Sequence, residues 1–293
     1  MVDFETFVIT VYVMVDQALA HVPPPDPRRD RHPALSRSKV VTLAQLARFA
    51  AQRLRVLFPR LPDRSQLHRA MTALQTTCDG FRQQWGDQLA VAEAPHERLD
   101  GTAVSLRTLG RRGPAPTAAF AAYGRTSHPP RFYGCRVLVT ATPAGVVTGY
   151  AVAPGNTHDS TLAETFFAER AAETPSAAVG SASSGVYLAD KAFAGREQVK
   201  RWAVRYAATV TAPPKSDSRD RWGAADEQAH AHKRQMIETV FQRLLQGLRL
   251  ARPRTEHGFT ARLAAKCALS NGLILWNRTE HRPEFAFASV IGW

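Results

Sequence analysis

The stretch YLADKAFAG, residues 187–195, indicates the fold of this chain. An apolar run of strand type ends in the carboxylate of Asp190, with Lys191 directly behind it and a glycine-closed turn after that. An α/β sheet opens its working crevice at the carboxyl ends of its strands, so a charged residue there is often placed to hold a ligand. A lone aspartate at this position can equally well cap the following turn. Partners for Asp190 therefore have to be found elsewhere in the chain.

The surrounding pattern alternates strands and helices. Runs of β-branched and aromatic residues bounded by glycine and proline predict five strands, at 96–106, 131–142, 146–155, 185–193 and 207–214. Helical patterns follow the third and fourth strands, and two more helices close the sequence, at 159–173, 196–206, about 227–248 and 260–276. Three strands in succession, followed by alternating helices and strands, predict a mixed α/β sheet.

The first part of the chain has a different pattern. Apolar side chains recur at a helical period over residues 3–20, and a proline-rich segment at 22–33 then forms a stiff linker. Helical patterns return after the linker. We therefore predict an N-terminal helical region at 1–92 and an α/β domain at 93–293.

One helix of the N-terminal region is basic. Asp63 followed by Gln66 is a capping-box arrangement, which begins a helix that carries Arg64. A compact helical bundle with a basic helix resembles a DNA-binding module, in which Arg64 would contact DNA. A packing subdomain with a solvated basic face explains the same pattern equally well.

The overall charge restricts the class of partner. The chain has 38 lysines and arginines against 25 aspartates and glutamates, a net charge of +13. Such a balance favours nucleic acid or an anionic membrane. The longest apolar run, 7–15, is about half of the roughly 20 residues that a spanning helix needs. It does not resemble a secretory signal either, because Asp3 and Glu5 stand where such a signal is positively charged. We expect a cytoplasmic protein without a membrane partner, whose three widely spaced cysteines are reduced and structural.

The basic residues are clustered. No acidic residue lies between Asp100 and Asp159, where the chain has six arginines, Arg111 and Arg112 among them. Residues 239–278 contain seven basic residues and a single acid. A surface that is merely soluble mixes the two signs. These stretches predict a path for the DNA backbone, along which binding weakens steeply with salt.

Three carboxylates stand out by position. Asp100 lies inside the first predicted strand, Asp190 ends the fourth, and Glu238 stands among apolar residues of a helix, where an acid is costly unless it is neutralised. Oxygen ligands of this kind select hard cations such as Mg²⁺ or Mn²⁺. Two such ions about 4 Å apart catalyse phosphoryl transfer, so we expect a phosphodiester substrate. A fourth acid, Asp159, directly precedes a predicted helix and is interpreted as its N-cap.

These motifs resemble those of the DDE transposases of bacterial insertion sequences. LDGTAV is similar to the first motif of that family, usually Asp-Ser-Thr, and LADKAF is similar to the second, Asp-Lys-Gly. RQMIETVF is similar to the helix that carries the family glutamate, and the resemblance covers nearly the whole chain. It implies a ribonuclease H-like catalytic domain, with Asp100, Asp190 and Glu238 as the catalytic, metal-binding triad.

The resemblance also implies an activity and its partners. The activity is cleavage of DNA at the ends of an insertion sequence, followed by transfer of the 3′-hydroxyl to target DNA, with two Mg²⁺ or Mn²⁺ ions. The implied partner is double-stranded DNA, as terminal inverted repeats and target, bound by a homodimer or larger assembly that is associated with the bacterial nucleoid. Lys191 and Arg234 match basic residues of the family and are expected to contact phosphates.

The chain departs from the family pattern at four positions. Gly101 replaces the usual serine and Ala192 the usual glycine, while Ala231 and Leu245 replace a tyrosine and a lysine of related transposases. Arg243 or His232 is then a candidate substitute for the missing DNA contacts. Two alternatives stay open: a DNA-binding transposase relic with weak catalysis, and a metal-dependent nuclease of the same fold.

Overall fold

The computed structural model describes ten segments of the chain, which are 4–20, 22, 36–46, 64–107, 120–126, 131–173, 185–215, 218, 221–245 and 255–286. The chain forms two compact units. One comprises Met1–Trp85 with Thr255–Trp293, and the other comprises Gly86–Arg254. Within the described segments, no helix is long and apolar enough to cross a membrane.

The first unit is helical. It contains α1 (Phe4–Leu19), α2 (Arg37–Leu46), α3 (Arg64–Ala73), most of α4 (Gln75–Gln88) and the last helix, α8 (Glu256–Thr279). Helix α8 is buried along most of its length and packs against α1, α2 and α3. From the sequence, we expected this helix in the second domain. Its apolar residues occupy most faces, so the pattern does not indicate which elements cover it.

The second unit is built on a six-stranded sheet. Its strands are β1 (Glu97–Arg107), β2 (Ala122–Gly124), β3 (Phe132–Ala141), β4 (Val147–Pro154), β5 (Val186–Leu188) and β6 (Thr209–Thr211). β3 pairs antiparallel with β1, β2 and β4, whereas β5 runs parallel to β1 and β6 parallel to β5. The order β4-β3-β1-β5-β6, with β2 paired to the start of β3, is compatible with a ribonuclease H-like fold. The predicted mixed α/β sheet is confirmed, and among the strands of the described segments only the three-residue β2 was not predicted.

Helices cover both faces of this sheet. They are α5 (Asp159–Glu173), α6 (Arg196–Tyr206) and α7 (Ala224–Leu245). On one face, Phe167 of α5 packs against Tyr187 and Trp202, with ring centroids 5.0 and 5.3 Å apart. α7 packs against β1 and β3. Side chains alternate along a strand, and Leu188, the neighbour of Tyr187, lines a cavity with His230 of α7. The sheet therefore has α5 and α6 on one face and α7 on the other.

A buried ion pair connects α5 to the first strand. Glu97 is 1% exposed, and Arg170 donates to both of its carboxylate oxygens, at 2.9 and 2.7 Å. The Thr148 hydroxyl also donates to Glu97. Two parallel bonds between a guanidinium and a carboxylate fix orientation as well as distance. This pair sets the position of α5 on the sheet.

The cysteines agree with the sequence prediction. Cys78, Cys135 and Cys267 are free and buried. Burial raises the pKa of Cys78 and of Cys267 to about 12. The thiolate is the reactive form of cysteine, so these two side chains are packing groups rather than nucleophiles.

Candidate active site

Asp100 and Asp190 lie at the junction of two parallel strands. β1 and β5 pair with Arg98 opposite Leu188. Continuing that register by two residues puts Asp100 opposite Asp190, just beyond the end of β5, and adjacent strands are about 4.8 Å apart. Both aspartates are half-buried. Two carboxylates therefore meet where a parallel strand ends, which is the edge at which α/β sheets bind ligands.

Both carboxylates belong to the sheet face that α7 covers. Leu99 and Ala189 lie in the apolar core formed with α5 and α6. Because successive side chains in extended backbone point to opposite faces, Asp100 and Asp190 point away from that core. The backbone of Asp190 is extended, as this argument requires.

Backbone amides orient each aspartate. The amide of Gly101 donates to Oδ1 of Asp100 at 2.8 Å, and the amide of Ala192 donates to Oδ1 of Asp190 at 2.8 Å. The second bond caps a short 3-10 helix, Lys191–Phe193. Asp190 thus fills the turn-capping role that the sequence left open for it. This hydrogen bond occupies one oxygen of Asp190, Oδ1, and the carboxylate still lies at the end of the strand.

Glu238 lies on α7, the helix that packs on the same face. Its side chain is exposed, although Ile237 and Val240 beside it are buried. Glu238 therefore stands at the border of the apolar stripe, not on the apolar side of the helix as its neighbours in the sequence indicated. Within the described segments, no three His, Cys, Asp or Glu side chains are close enough to hold a metal ion. The structure brings the two aspartates together, but Glu238 does not form a three-residue cluster with them.

The donor set nevertheless suits a divalent cation. Carboxylate oxygens are the ligands that Mg²⁺ and Mn²⁺ prefer. Two like charges on adjacent strands repel each other, and a cation between Asp100 and Asp190 would offset that repulsion.

A fourth carboxylate lies beside the first motif. Asp159 is the first residue of α5, and its two oxygens accept hydrogen bonds from Nη1 of Arg136 at 2.8 and 3.1 Å. Burial raises the pKa of Asp159, Arg136 opposes this effect, and the charge of Asp190 raises the pKa further. The sequence interpretation as a helix N-cap missed the ion pair with Arg136, which lies 23 positions earlier in the chain.

The space around Gly101 explains one departure from the family pattern. A Cβ atom at Gly101 would lie 2.9 Å from Oδ1 of Asp159. A serine, the usual residue at this position in the family, cannot be accommodated unless Asp159 moves. The glycine in LDGTAV was therefore the sequence signal for a close neighbour.

The predicted DNA-contacting residues differ in their surroundings. Lys191 is exposed beside Asp190. Arg243 is only 9% exposed, and burial lowers its pKa to about 10. Arg136, part of the predicted basic path, is bound to Asp159. The other predicted contacts lie outside the described side chains, namely Arg64, Arg111, Arg112 and Arg234.

Comparison with known proteins identifies the family. A family model described as Transposase DDE domain matches residues 98–271, more than half of the 293 residues. No curated protein and no solved structure is significantly similar to the chain. The matched segment begins in β1 and includes all three predicted triad residues. The chain therefore belongs to the transposase DDE domain family.

Membership defines the class of activity. The family implies a polynucleotidyl transferase-type enzyme that binds DNA and normally uses a divalent metal.

Proposed function

We propose that the protein cleaves DNA at the ends of an insertion sequence and transfers the freed 3′-hydroxyl to target DNA. The observation that carries the proposal is the register of β1 and β5, which sets Asp100 opposite Asp190 inside a segment that matches the transposase DDE domain. In the first step, water attacks the terminal phosphodiester and the bond to the 3′-oxygen breaks. In the second step, the released 3′-hydroxyl attacks a target phosphodiester, and a target 3′-oxygen leaves.

Asp100, Asp190 and Glu238 would hold two Mg²⁺ or Mn²⁺ ions. When bound, such ions lower the pKa of the attacking water and stabilise charge on the leaving oxygen. Hydrogen bonds from the backbone amides of Gly101 and Ala192 orient the two aspartates before DNA binds. Glu238 is exposed on α7, and it has to move toward Asp100 and Asp190 to complete the triad.

Basic residues offset the repulsion between these acids and the DNA backbone. Lys191 is exposed next to Asp190 and is suited to contact the scissile phosphate or its neighbour. Arg64, Arg111, Arg112 and Arg234 are proposed as further contacts along the backbone. Arg243 is buried, so it reaches a phosphate only if α7 rearranges.

The two parts of the chain are proposed to divide the work. The α/β unit carries the chemistry, within the predicted catalytic domain 93–293. The helical region 1–92 binds element ends or a second subunit, and α8 packs with it. We propose a homodimer or larger assembly on paired ends.

A cleavage assay tests the proposal. The purified protein is incubated with labelled DNA from the ends that flank its gene, with and without Mg²⁺, beside Asp100→Ala and Asp190→Ala. Glu197→Ala is the matched control, because Glu197 is an exposed acid in the first turn of α6. We expect Mg²⁺-dependent nicks and joined products that both aspartate variants lose and the control retains, with DNA retardation unchanged.

The same assay separates the alternatives. The exposed Glu238 and the lack of a three-acid cluster in the described segments favour a DNA-binding relic as the second candidate. Retarded DNA without cleavage in Mg²⁺ or Mn²⁺ would establish the relic. Cleavage without joined products would establish a nuclease, and products that survive Asp190→Ala would contradict the proposed site.

A further inference from the structure

We propose that Asp159, held by Arg136, is a positioning residue for Asp100, and that residue 101 has to be glycine for Asp159 to act in this way. The inference rests on the proposed role of Asp100 in metal binding and catalysis. It concerns the sheet face opposite α7, which the proposed chemistry does not otherwise use.

The Arg136–Asp159 pair is a fixed element of that face. The side chains are 15% and 20% exposed, and Nη1 of Arg136 binds both oxygens of Asp159. Nη2 of Arg136 donates to the carbonyl oxygen of Arg125 at 2.8 Å. The guanidinium of Arg136 is thus held through both of its Nη atoms, and it fixes the carboxylate of Asp159 at the start of α5.

The carboxylate of Asp159 fills the space in which a side chain at position 101 would lie. A Cβ atom there would be 2.9 Å from Oδ1 and 3.1 Å from Cγ of Asp159. The φ of Gly101 is outside the left-handed region, so another residue could adopt its backbone conformation. Position 101 is therefore a glycine because there is no space for a side chain, and not because of its backbone conformation.

The same peptide orients Asp100. The amide of Gly101 donates to Oδ1 of Asp100 at 2.8 Å. Gly101 therefore contacts Asp159 on one face of β1 and holds the Asp100 carboxylate on the other. A shift of this peptide moves a proposed metal ligand, and a misplacement of about 1 Å can reduce a rate about 100-fold.

A purely structural ion pair would behave differently. Its loss would lower the thermal stability of the protein and leave metal binding by the folded protein unchanged. Glu164 provides the matched control, because it lies on the same helix and pairs with Arg201 at 2.5 Å. Glu164→Ala removes an ion pair of the same type at a position that Gly101 does not contact.

The experiment is a double-mutant cycle on the full chain with Gly101→Ala, Asp159→Ala and the double variant. Mn²⁺ binding is measured by titration calorimetry, and the Mg²⁺ concentration for half-maximal cleavage is measured in parallel. We expect each single variant to weaken Mn²⁺ binding about tenfold. The double variant should match Asp159→Ala to within about twofold, because the truncated side chain leaves room for the new methyl group. Glu164→Ala should also stay within about twofold of the parent.

Several outcomes would overturn the inference. Losses that multiply in the double variant would show that positions 101 and 159 act independently. A fall in melting temperature with unchanged Mn²⁺ binding would show a structural pair only. If Asp159→Ala does not fold, Asp159→Asn keeps the shape and one acceptor oxygen, and it should weaken Mn²⁺ binding less than Gly101→Ala does.

Asp100→Ala separates this inference from the proposed function. Mn²⁺ binding and cleavage that do not depend on Asp100 contradict both. Binding that depends on Asp100 but is unaffected by Gly101→Ala and Asp159→Ala contradicts the positioning role alone.

Discussion

At the scale of single residues, Asp190 combines two roles. Its Oδ1 accepts a hydrogen bond from the amide of Ala192, as any strand-end aspartate can do, and its position opposite Asp100 suits it as one of the three proposed metal ligands. The two roles are compatible because the capping bond orients the carboxylate without removing it from the strand edge. A structural role and a catalytic role are therefore not exclusive at this position.

The repulsion between the two aspartates should be measurable. Asp190→Asn keeps a capping oxygen and removes one of two like charges. Without divalent cations, we expect the variant to have a free energy of unfolding about 1 kcal/mol higher than the parent, the Coulomb energy of two charges about 5 Å apart in a high dielectric. Urea unfolding in EDTA measures the difference, and the same variant should lose cleavage.

Saturating Mg²⁺ provides the control for this prediction. The cation should stabilise the parent and not the variant, so the advantage of Asp190→Asn should disappear. A variant that is less stable than the parent in EDTA would show that Asp190 has favourable contacts that outweigh the repulsion.

At the scale of secondary-structure elements, the local sequence pattern predicted the bounds of helices better than it predicted which side chains pair with each other. The bounds of α5 and α6 agree with the predicted 159–173 and 196–206, because an apolar period and flanking glycine or polar residues define each helix locally. Strand β2 has three residues, too few for alternation to appear. Neither the Glu97–Arg170 pair nor the Arg136–Asp159 pair follows from the sequence, because periodicity indicates the face of a residue but not what lies opposite.

The candidate site shows the same division. The positions of Asp100 in a strand and Asp190 at a strand end could be predicted from the residues. Their adjacency depends on the strand order, which pairs β1 with β5 across many intervening residues. The exposure of Glu238 could not be predicted, because its helix carries apolar residues on several neighbouring positions.

Close contact between β1 and β3 makes one glycine of the sheet indispensable. A Cβ atom at Gly134 would overlap the carbonyl oxygen of Val104, a backbone atom that cannot rotate away. We expect Gly134→Ala to lower the free energy of unfolding by about 3 kcal/mol or more, the upper range for overpacking. Chemical denaturation with a sheet-sensitive signal measures the effect.

Gly80 is the matched control for this substitution. It lies inside α4 and is exposed, and a Cβ atom at this position would meet no other group within 4 Å. Gly80→Ala should raise the free energy of unfolding by about 0.5–1 kcal/mol, since alanine favours helix. Effects of the same sign at both positions would contradict the packing argument.

At the scale of the whole molecule, we expect charge to govern DNA binding. With a net charge of +13, affinity for duplex DNA should fall about 10³-fold between roughly 50 and 200 mM salt if about six phosphates are contacted. Lys191→Gln should reduce the slope of log affinity against log salt by about 1. Lys200→Gln is the control, since Lys200 is exposed but pairs with Glu197. Fluorescence anisotropy at several salt concentrations measures these slopes, and equal slopes for both variants would exclude Lys191 as a phosphate contact.

The position of α8 in the helical unit has a consequence for biosynthesis. On the ribosome, helices α1 to α4 emerge first, but the helix that packs against α1, α2 and α3 emerges only after residue 255. The α/β unit, Gly86–Arg254, is complete before then and can fold as a nascent chain. Chains interrupted before α8 would therefore leave the apolar side of the first helices uncovered, and we expect such unfinished products to be targets of chaperones and proteases.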